Sequence, residues 1–272
     1  MISVLHPNRI LKVNLSLTGS KSITNRLLIL RSMYPSLKIK NKSESHDSFV
    51  LESALKSPSN TKDINHAGTS MRFLTAFYSI LEDKEIIIKG SKRMHERPIY
   101  PLIDSLKLIG ADISYLEKDG FPPIRIKGKK LNFKKVQISS NVSSQFVSAI
   151  LLVAPKLNGG LVIELKGKLI SKPYIQMTLS LLNDLGIKTS FKGKLIKGEN
   201  LEKIQKKHIS VESDWSSASY WYSIVALSER AEVRLNNFYK NSIQGDSVLT
   251  KYYKSLGVGT KFTKNKIILT KL

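Results

Sequence analysis

Three stretches of this chain follow one plan: "PLIDSLKLIGADISYLEKDGFPPIRIKG", "MTLSLLNDLGIKTSFKGKLIKG" and "SVLTKYYKSLGVGTKFTKNKIILTK". In each, apolar residues recur at helical spacing, as Leu102, Ile103, Leu106 and Ile109 do, and the run ends in Leu-Gly or Ile-Gly. The glycines Gly110, Gly186 and Gly257 suit the left-handed conformation that terminates a helix, and they stand 76 and 71 residues apart. The alternation that follows, Ile113 and Tyr115 and then Ile124 and Ile126, predicts a hairpin with one face on that helix. A period of this length marks a fold assembled from copies of one supersecondary unit.

A second pattern runs in step with the first. "GSKSITNRLLIL", "AGTSMRFLTAFYSIL", "SNVSSQFVSAILLVAP" and "ESDWSSASYWYSIVAL" each lead from a small, hydroxyl-rich turn into an apolar helix. Ser, Thr, Asn and Asp favour such starts because their oxygens satisfy first-turn amides. Together the patterns predict an α/β fold of repeated β-α-β-α-β-β units, with no low-complexity linker between them.

Composition narrows the chemistry. There is no cysteine, which excludes disulfides, thiolate metal sites and a cysteine nucleophile. The five histidines, His6, His46, His66, His95 and His208, show no metal-ligand spacing, so a metal site is not expected. No apolar stretch approaches the ~20 residues of a membrane span and the N-terminus has no leader pattern, so the expectation is a soluble, cytoplasmic protein. The net charge of +23 invites a nucleic-acid reading, but the lysines are scattered as singles and pairs, including Lys134 and Lys135. Arginines are scarcer, and Arg26, Arg72, Arg93 and Arg97 fall inside or beside the glycine- and serine-rich motifs. Arginine grips phosphate and carboxylate bidentately, which points to small anionic ligands.

Converging helix N-termini make an anion site before any charged side chain is added. At "GSKSITNR", Lys21 adds a charge, Ser22 a hydroxyl, and Arg26 projects one turn further along the same face. The GxxxxGK[ST] spacing of a Walker loop is absent. "NHAGTSMRF" (residues 65–73) offers Gly68 and Thr69 for close backbone approach, with Arg72 following. "RMHERP" (residues 93–98) sets two arginines and Glu96 before a proline suited to start a helix. "SSQF" (residues 143–146) and "SKPY" (residues 171–174) present hydroxyls at helix starts. Taken singly, each also reads as an ordinary cap or solvated charged loop.

In combination and order, "GSKSITNR", "AGTSMRFLTA", "RMHERPI", "VSSQF", "LISKPYI", "DWSSASYW" and "IQGDSVL" resemble the enolpyruvyl transferases, in the branch that acts on shikimate 3-phosphate. The resemblance spans essentially the whole chain. It implies transfer of the enolpyruvyl group of phosphoenolpyruvate to the 5-hydroxyl of shikimate 3-phosphate with release of phosphate, by a monomer, without metal or organic cofactor. It also implies roles. Lys21 would touch both substrates and be the catalytic residue of this chain. Ser22 and Arg26 would hold the shikimate carboxylate side, Ser143, Ser144 and Ser171 the phosphate, and Tyr174 the ring. Gln145 would lie between the substrates, and His66, Gly68, Thr69 and Arg97 would receive phosphoenolpyruvate.

Two departures accompany the resemblance. His66 stands where the family has Asn, preceded by Asn65 instead of Gly. Family members also continue well over a hundred residues beyond Leu272, and that part supplies the catalytic Asp and Glu. The family fold then implies one complete three-repeat domain at residues 19–228, with residues 1–18 and 229–272 as part of a second. Asp47 is a carboxylate of the first domain to which the sequence assigns no role. Other readings remain open on the residues alone: a non-catalytic module that binds shikimate 3-phosphate, a transferase acting on UDP-N-acetylglucosamine, whose branch relies on a cysteine, or a nucleic-acid binder without aromatic stacking motifs.

Overall fold

The computed structural model describes residues 9–131, 135–139, 143–167 and 171–272. His6, Lys134, the "NV" before Ser143 and the "LI" before Ser171 lie outside the described residues. The chain divides into two compact units: residues 1–20, 41–43 and 210–272, and residues 21–40 and 44–209.

The larger unit contains two four-stranded sheets of one topology. In the first, β3 (Thr61–Asp63) runs parallel to β4 (Glu85–Lys89), which pairs antiparallel with β6 (Ile124–Lys127), itself antiparallel to β5 (Asp112–Tyr115). In the second, β7 (Lys135–Ser139) is parallel to β8 (Leu161–Lys166), followed by β10 (Leu195–Gly198) and β9 (Thr189–Lys192), both antiparallel. A helix joins the two parallel strands of each sheet, α3 (Gly68–Ser79) and α6 (Ser144–Val153). A second helix leads into each hairpin, α5 (Tyr100–Leu108) and α7 (Lys172–Asp184). Gly110 and Gly186 end those helices at φ 102° and 92°, where a side chain would strain the backbone.

The remaining copy in this unit comprises α1 (Lys21–Met33), β2 (Lys38–Lys40), α2 (His46–Lys56) and β11 (His208–Ser210), with β2 paired to β11. No hairpin accompanies it among the described residues. Every residue of α1 from Ile23 to Leu30 is buried, and so is every residue of α6 except Gln145. The apolar run of α6 is covered because α3 packs on one side of it and α7 on another, and α1 packs against α2 and α3. Fully burying each Leu or Ile contributes about 1.5–3 kcal/mol, so this shared helical layer is the main stabilising element of the unit.

The smaller unit is one copy of the same plan. Its sheet runs β1 (Ile10–Ser16), β12 (Arg230–Asn236), β14 (Lys266–Lys271), β13 (Val258–Phe262), with the first pair parallel and the others antiparallel. The sequence-derived boundary near residue 228 differs from the contact boundary at 209–210. The cause is α8 (Trp215–Leu227), whose Trp215, Ala218, Tyr222 and Val225 join one core with Val233, Leu235, Ile267 and Leu269. Two motifs meet at its start. Asp214 caps it by accepting from Ser217 N at 2.9 Å, and Gln244 Oε1 accepts from Trp215 N at 3.1 Å. The buried carboxylate of Glu212 accepts from Trp215 Nε1, Tyr239 N, Ser242 Oγ and Gln244 Nε2 at 2.5–3.0 Å.

Pro98 does not open a helix. The short helix α4 (Lys92–His95) ends at Glu96, and α5 starts at Tyr100 with Pro101 in its first turn. No helix among the described residues is long and apolar enough to cross a membrane.

Candidate functional site

Within the larger unit a cavity of about 340 Å³ is lined by Lys21, Ser22, Asn25, Arg26, Thr69, Ser143, Ser144, Gln145, Ser171 and Tyr174. Its walls are the first turns of α1, α3, α6 and α7. First-turn amides lack intrahelical acceptors, so the cavity gathers partial positive charge from several helices at once. Of the lining residues only Asn25 is outside the set derived from sequence.

Arg26 ties this wall together. Its Nε donates to Thr178 Oγ1 at 2.7 Å, one Nη to the Ser22 carbonyl at 2.8 Å, and the other to Ser148 Oγ at 3.1 Å and the Tyr174 carbonyl at 3.3 Å. Its guanidinium also lies 5.5 Å from the Phe73 ring centre, so one side chain links α1 to α3, α6 and α7. Burial pulls its pKa down to about 10, against a smaller opposing pull from Tyr174, and it stays charged at neutral pH. Four donor interactions are thus made within the protein. The guanidinium read from the sequence as a carboxylate grip is in this structure a buried brace for the residues around the cavity.

Asn25, 1% exposed, accepts from Ser48 Oγ at 2.7 Å through Oδ1, while its Nδ2 has no protein partner. A buried unpaired amide donor at a cavity wall costs about 1–3 kcal/mol unless a ligand or water accepts from it. Nothing in the sequence separates this Asn from any polar residue in a helix; only its Ser48 contact orients it. Lys21 pairs with Asp47 at 3.4 Å, and Ser70 Oγ donates to the Asp47 carbonyl at 3.4 Å. Asp47 therefore connects the starts of α1, α2 and α3.

The remaining predicted residues sit beside the cavity at the start of α3. Gly68 is buried, and a Cβ there would collide with the Arg97 guanidinium and lie 2.9 Å from Arg72 Nη1. Arg72 donates to the Gly68 carbonyl at 2.8 Å, and its Nε is buried without a protein partner. Burial, and then the neighbouring Arg97 charge, pull the Arg72 pKa down to about 10. Two guanidiniums held against one glycine, at a helix start without a side-chain cap, form a second place for an anion. His66 is exposed and stacks on His46 with ring centres 5.1 Å apart, a pairing that the sequence spacing does not disclose.

The other helix starts differ in kind. Ser143 caps α6, accepting from Gln145 N at 3.3 Å. Ser171 precedes α7 in the left-handed region, φ 59° and ψ 41°, and makes no cap hydrogen bond. Among the described residues no group of three or more His, Cys, Asp or Glu has the placement to hold a metal ion.

A family model described as EPSP synthase (3-phosphoshikimate 1-carboxyvinyltransferase) matches residues 33–271. The 3-phosphoshikimate 1-carboxyvinyltransferase of Bacteroides fragilis is 39% identical over 266 residues, covering 96% of this chain and 64% of that protein. The enzyme of the same name from Actinobacillus pleuropneumoniae is 35% identical over 275 residues, covering 89% of this chain and 63% of its own length. A solved EPSP synthase from Acinetobacter baumannii superposes with a TM-score of 0.78 at 20% identity, over 99% of this chain and 66% of that one, which establishes the common fold. The chain thus spans somewhat less than two thirds of the length of these curated relatives. With a matching family model, relatives of this identity and the shared fold, the chain belongs to the EPSP synthase family.

Proposed function

We propose that the cavity binds shikimate 3-phosphate and that, in a complete protein, this chain takes part in transferring the enolpyruvyl group of phosphoenolpyruvate to its 5-hydroxyl. One observation carries the reading: Ser143, Ser144, Ser171 and Gln145, from two helix starts, line one cavity together with Lys21 and Ser22 of a third. A phosphate suits the serine side, where hydroxyls and first-turn amides donate together. Lys21 lines the same cavity, and the second anion place, Gly68, Thr69, Arg72 and Arg97, would take phosphoenolpyruvate.

In the reaction, the 5-hydroxyl oxygen bonds to the enol carbon of phosphoenolpyruvate while the methylene carbon takes a proton. The 5-hydroxyl gives up its proton in that step, and the adduct, in which the former methylene is a methyl group, then loses phosphate and one methyl proton to restore the double bond. Cations at Lys21, Arg97 and Arg72 would stabilise the charge on the departing phosphate. The family's catalytic Asp and Glu belong to the part that this chain does not span, so binding without turnover is the second reading, favoured by the 64% coverage. The smaller unit, residues 1–20, 41–43 and 210–272, would contribute to a second domain. The protein is proposed to be a monomer with small-molecule ligands and no nucleic-acid partner.

Calorimetric titration with shikimate 3-phosphate tests the site: saturable binding is expected, weakened at least tenfold by Lys21→Ala in a folded variant. No heat from a folded sample would overturn the reading. Phosphate release that requires both substrates would establish turnover by this chain. Binding without release would favour the second reading.

A further inference from the structure

Arg26 directs its donors at protein acceptors, whereas the residue before it, Asn25, has an amide nitrogen with no protein acceptor. Asn25 lines the cavity between the helix starts and is otherwise enclosed, at 1% exposure. A buried donor without an acceptor is rare in a folded protein, because it has lost its water and found no replacement. At a cavity wall, a ligand that brings an acceptor makes good that loss.

The direction of the amide is fixed from behind. Ser45, the cap of α2, accepts from Ser48 N at 3.4 Å, and its Oγ donates to Ser48 Oγ at 3.1 Å. Ser48, 2% exposed, therefore turns its own proton to Asn25 Oδ1 at 2.7 Å. With Oδ1 held as the last acceptor of this chain of hydrogen bonds, Nδ2 is the free end of the amide. We propose that Asn25 is a specificity-determining contact, in which Nδ2 donates to a hydroxyl or carboxylate oxygen borne by the ring of bound shikimate 3-phosphate, and that Ser48 is its positioning residue. The inference rests on the reading of the cavity as the shikimate 3-phosphate site. A neutral amide suits a ring oxygen, while the phosphate has the hydroxyls and first-turn amides of the serine side. The contact discriminates: a ligand with an oxygen at this place satisfies the amide, and one without it leaves the amide buried and unpaired, which such a site rejects strongly.

The test is nuclear magnetic resonance of the whole chain with nitrogen-labelled asparagine, beside calorimetry. The Asn25 side-chain signal is identified by its absence from Asn25→Asp, which keeps the shape of the residue and the acceptor for Ser48. Saturating shikimate 3-phosphate is expected to move that signal and to slow its proton exchange with water. Asn25→Ala, in a folded variant, should raise the dissociation constant about tenfold, the loss of one hydrogen bond. Ser48→Ala changes no lining residue and should weaken binding in the same direction, because the amide loses the contact that orients it; unchanged affinity there would overturn the role given to Ser48. A parent chain that binds shikimate 3-phosphate without moving the Asn25 signal, or an Asn25→Ala chain that binds as the parent does, would overturn the contact while leaving the ligand reading intact. A folded parent that gives no heat with shikimate 3-phosphate would overturn both, so the two failures are distinguishable.

Discussion

Replacing Arg26 by Met keeps the length of the side chain and removes its charge and donors. The lowering of its pKa from 12.5 to about 10 means that the charged form is held in the folded state at a cost of about 3 kcal/mol. Against that stand four hydrogen bonds from a charged donor, at about 1.5 kcal/mol each, together about 6 kcal/mol. The balance predicts that Arg26→Met destabilises the larger unit by about 3 kcal/mol, a fall in melting temperature of roughly 6–12 °C for a unit of this size. Thr178 and Ser148, already 3.0 Å apart, keep each other as partners, so the loss does not rise further. The pH dependence follows from the depressed folded pKa. Protons leave Arg26 in the folded state before the unfolded state only above pH 10, and stability linked to it rises only there. The difference between variant and parent should therefore be flat from pH 6 to 9. The assay is far-UV circular dichroism beside tryptophan fluorescence. Both tryptophans, Trp215 and Trp221, lie in the smaller unit, so the fluorescence transition should move less than the dichroic one. An unchanged melt combined with greatly weakened shikimate 3-phosphate binding would refute this reasoning, and would show that the guanidinium serves the ligand instead of the helices.

Gly68→Ala should displace Arg97 and lower phosphoenolpyruvate affinity at least tenfold, with less effect on shikimate 3-phosphate; equal losses for both ligands in titration would contradict the placement of two anion sites. Glu212→Ala leaves Trp215 Nε1, Tyr239 N and Ser242 Oγ without their acceptor and Gln244 Nε2 with only the Ser213 carbonyl, and should destabilise the smaller unit by about 3–5 kcal/mol, read from the midpoint of tryptophan fluorescence in urea. Burial raises the hydroxyls of Tyr34, Tyr78 and Tyr222 to about 12, so the folded state keeps protons that the unfolded chain releases above pH 10. Stability should accordingly be full below pH 10 and decline between 10 and 12, and tyrosinate absorbance below pH 10 from these residues would disprove their burial.

The repeat was legible because its signals are local. A glycine at the end of a helix and alternating residues in a hairpin declare themselves over a few positions, and the structure has all three hairpins, the last preceded by short helical turns and Gly257 at φ 77°. The cavity was legible as a set of helix starts, since hydroxyls ahead of apolar runs are visible without tertiary information. What the sequence could not give was the direction of each side chain. Arg26 and Arg97 look alike as cations beside serines and glycines, yet one is buried among its own helices and the other lies exposed over Gly68. The assignment of α8 to the smaller unit was equally hidden, because its motif matches those of α1, α3 and α6 and only its contacts distinguish it. The stacking of His46 on His66 joins residues twenty positions apart in different helix starts, and no periodicity reports such a meeting.

Ser171 carries two demands that few residues can meet together. Its backbone lies in the left-handed region, which Gly, Asn and Asp enter with least strain, while its place in the cavity calls for a short hydrogen-bonding group. Glycine relaxes the chain and removes the hydroxyl; threonine keeps the hydroxyl and adds a branch that this conformation resists; aspartate brings a negative charge to a wall suited to anions. A library saturated at position 171 and sorted separately for thermal survival and for ligand capture should therefore return different winners, glycine in the first and serine in the second.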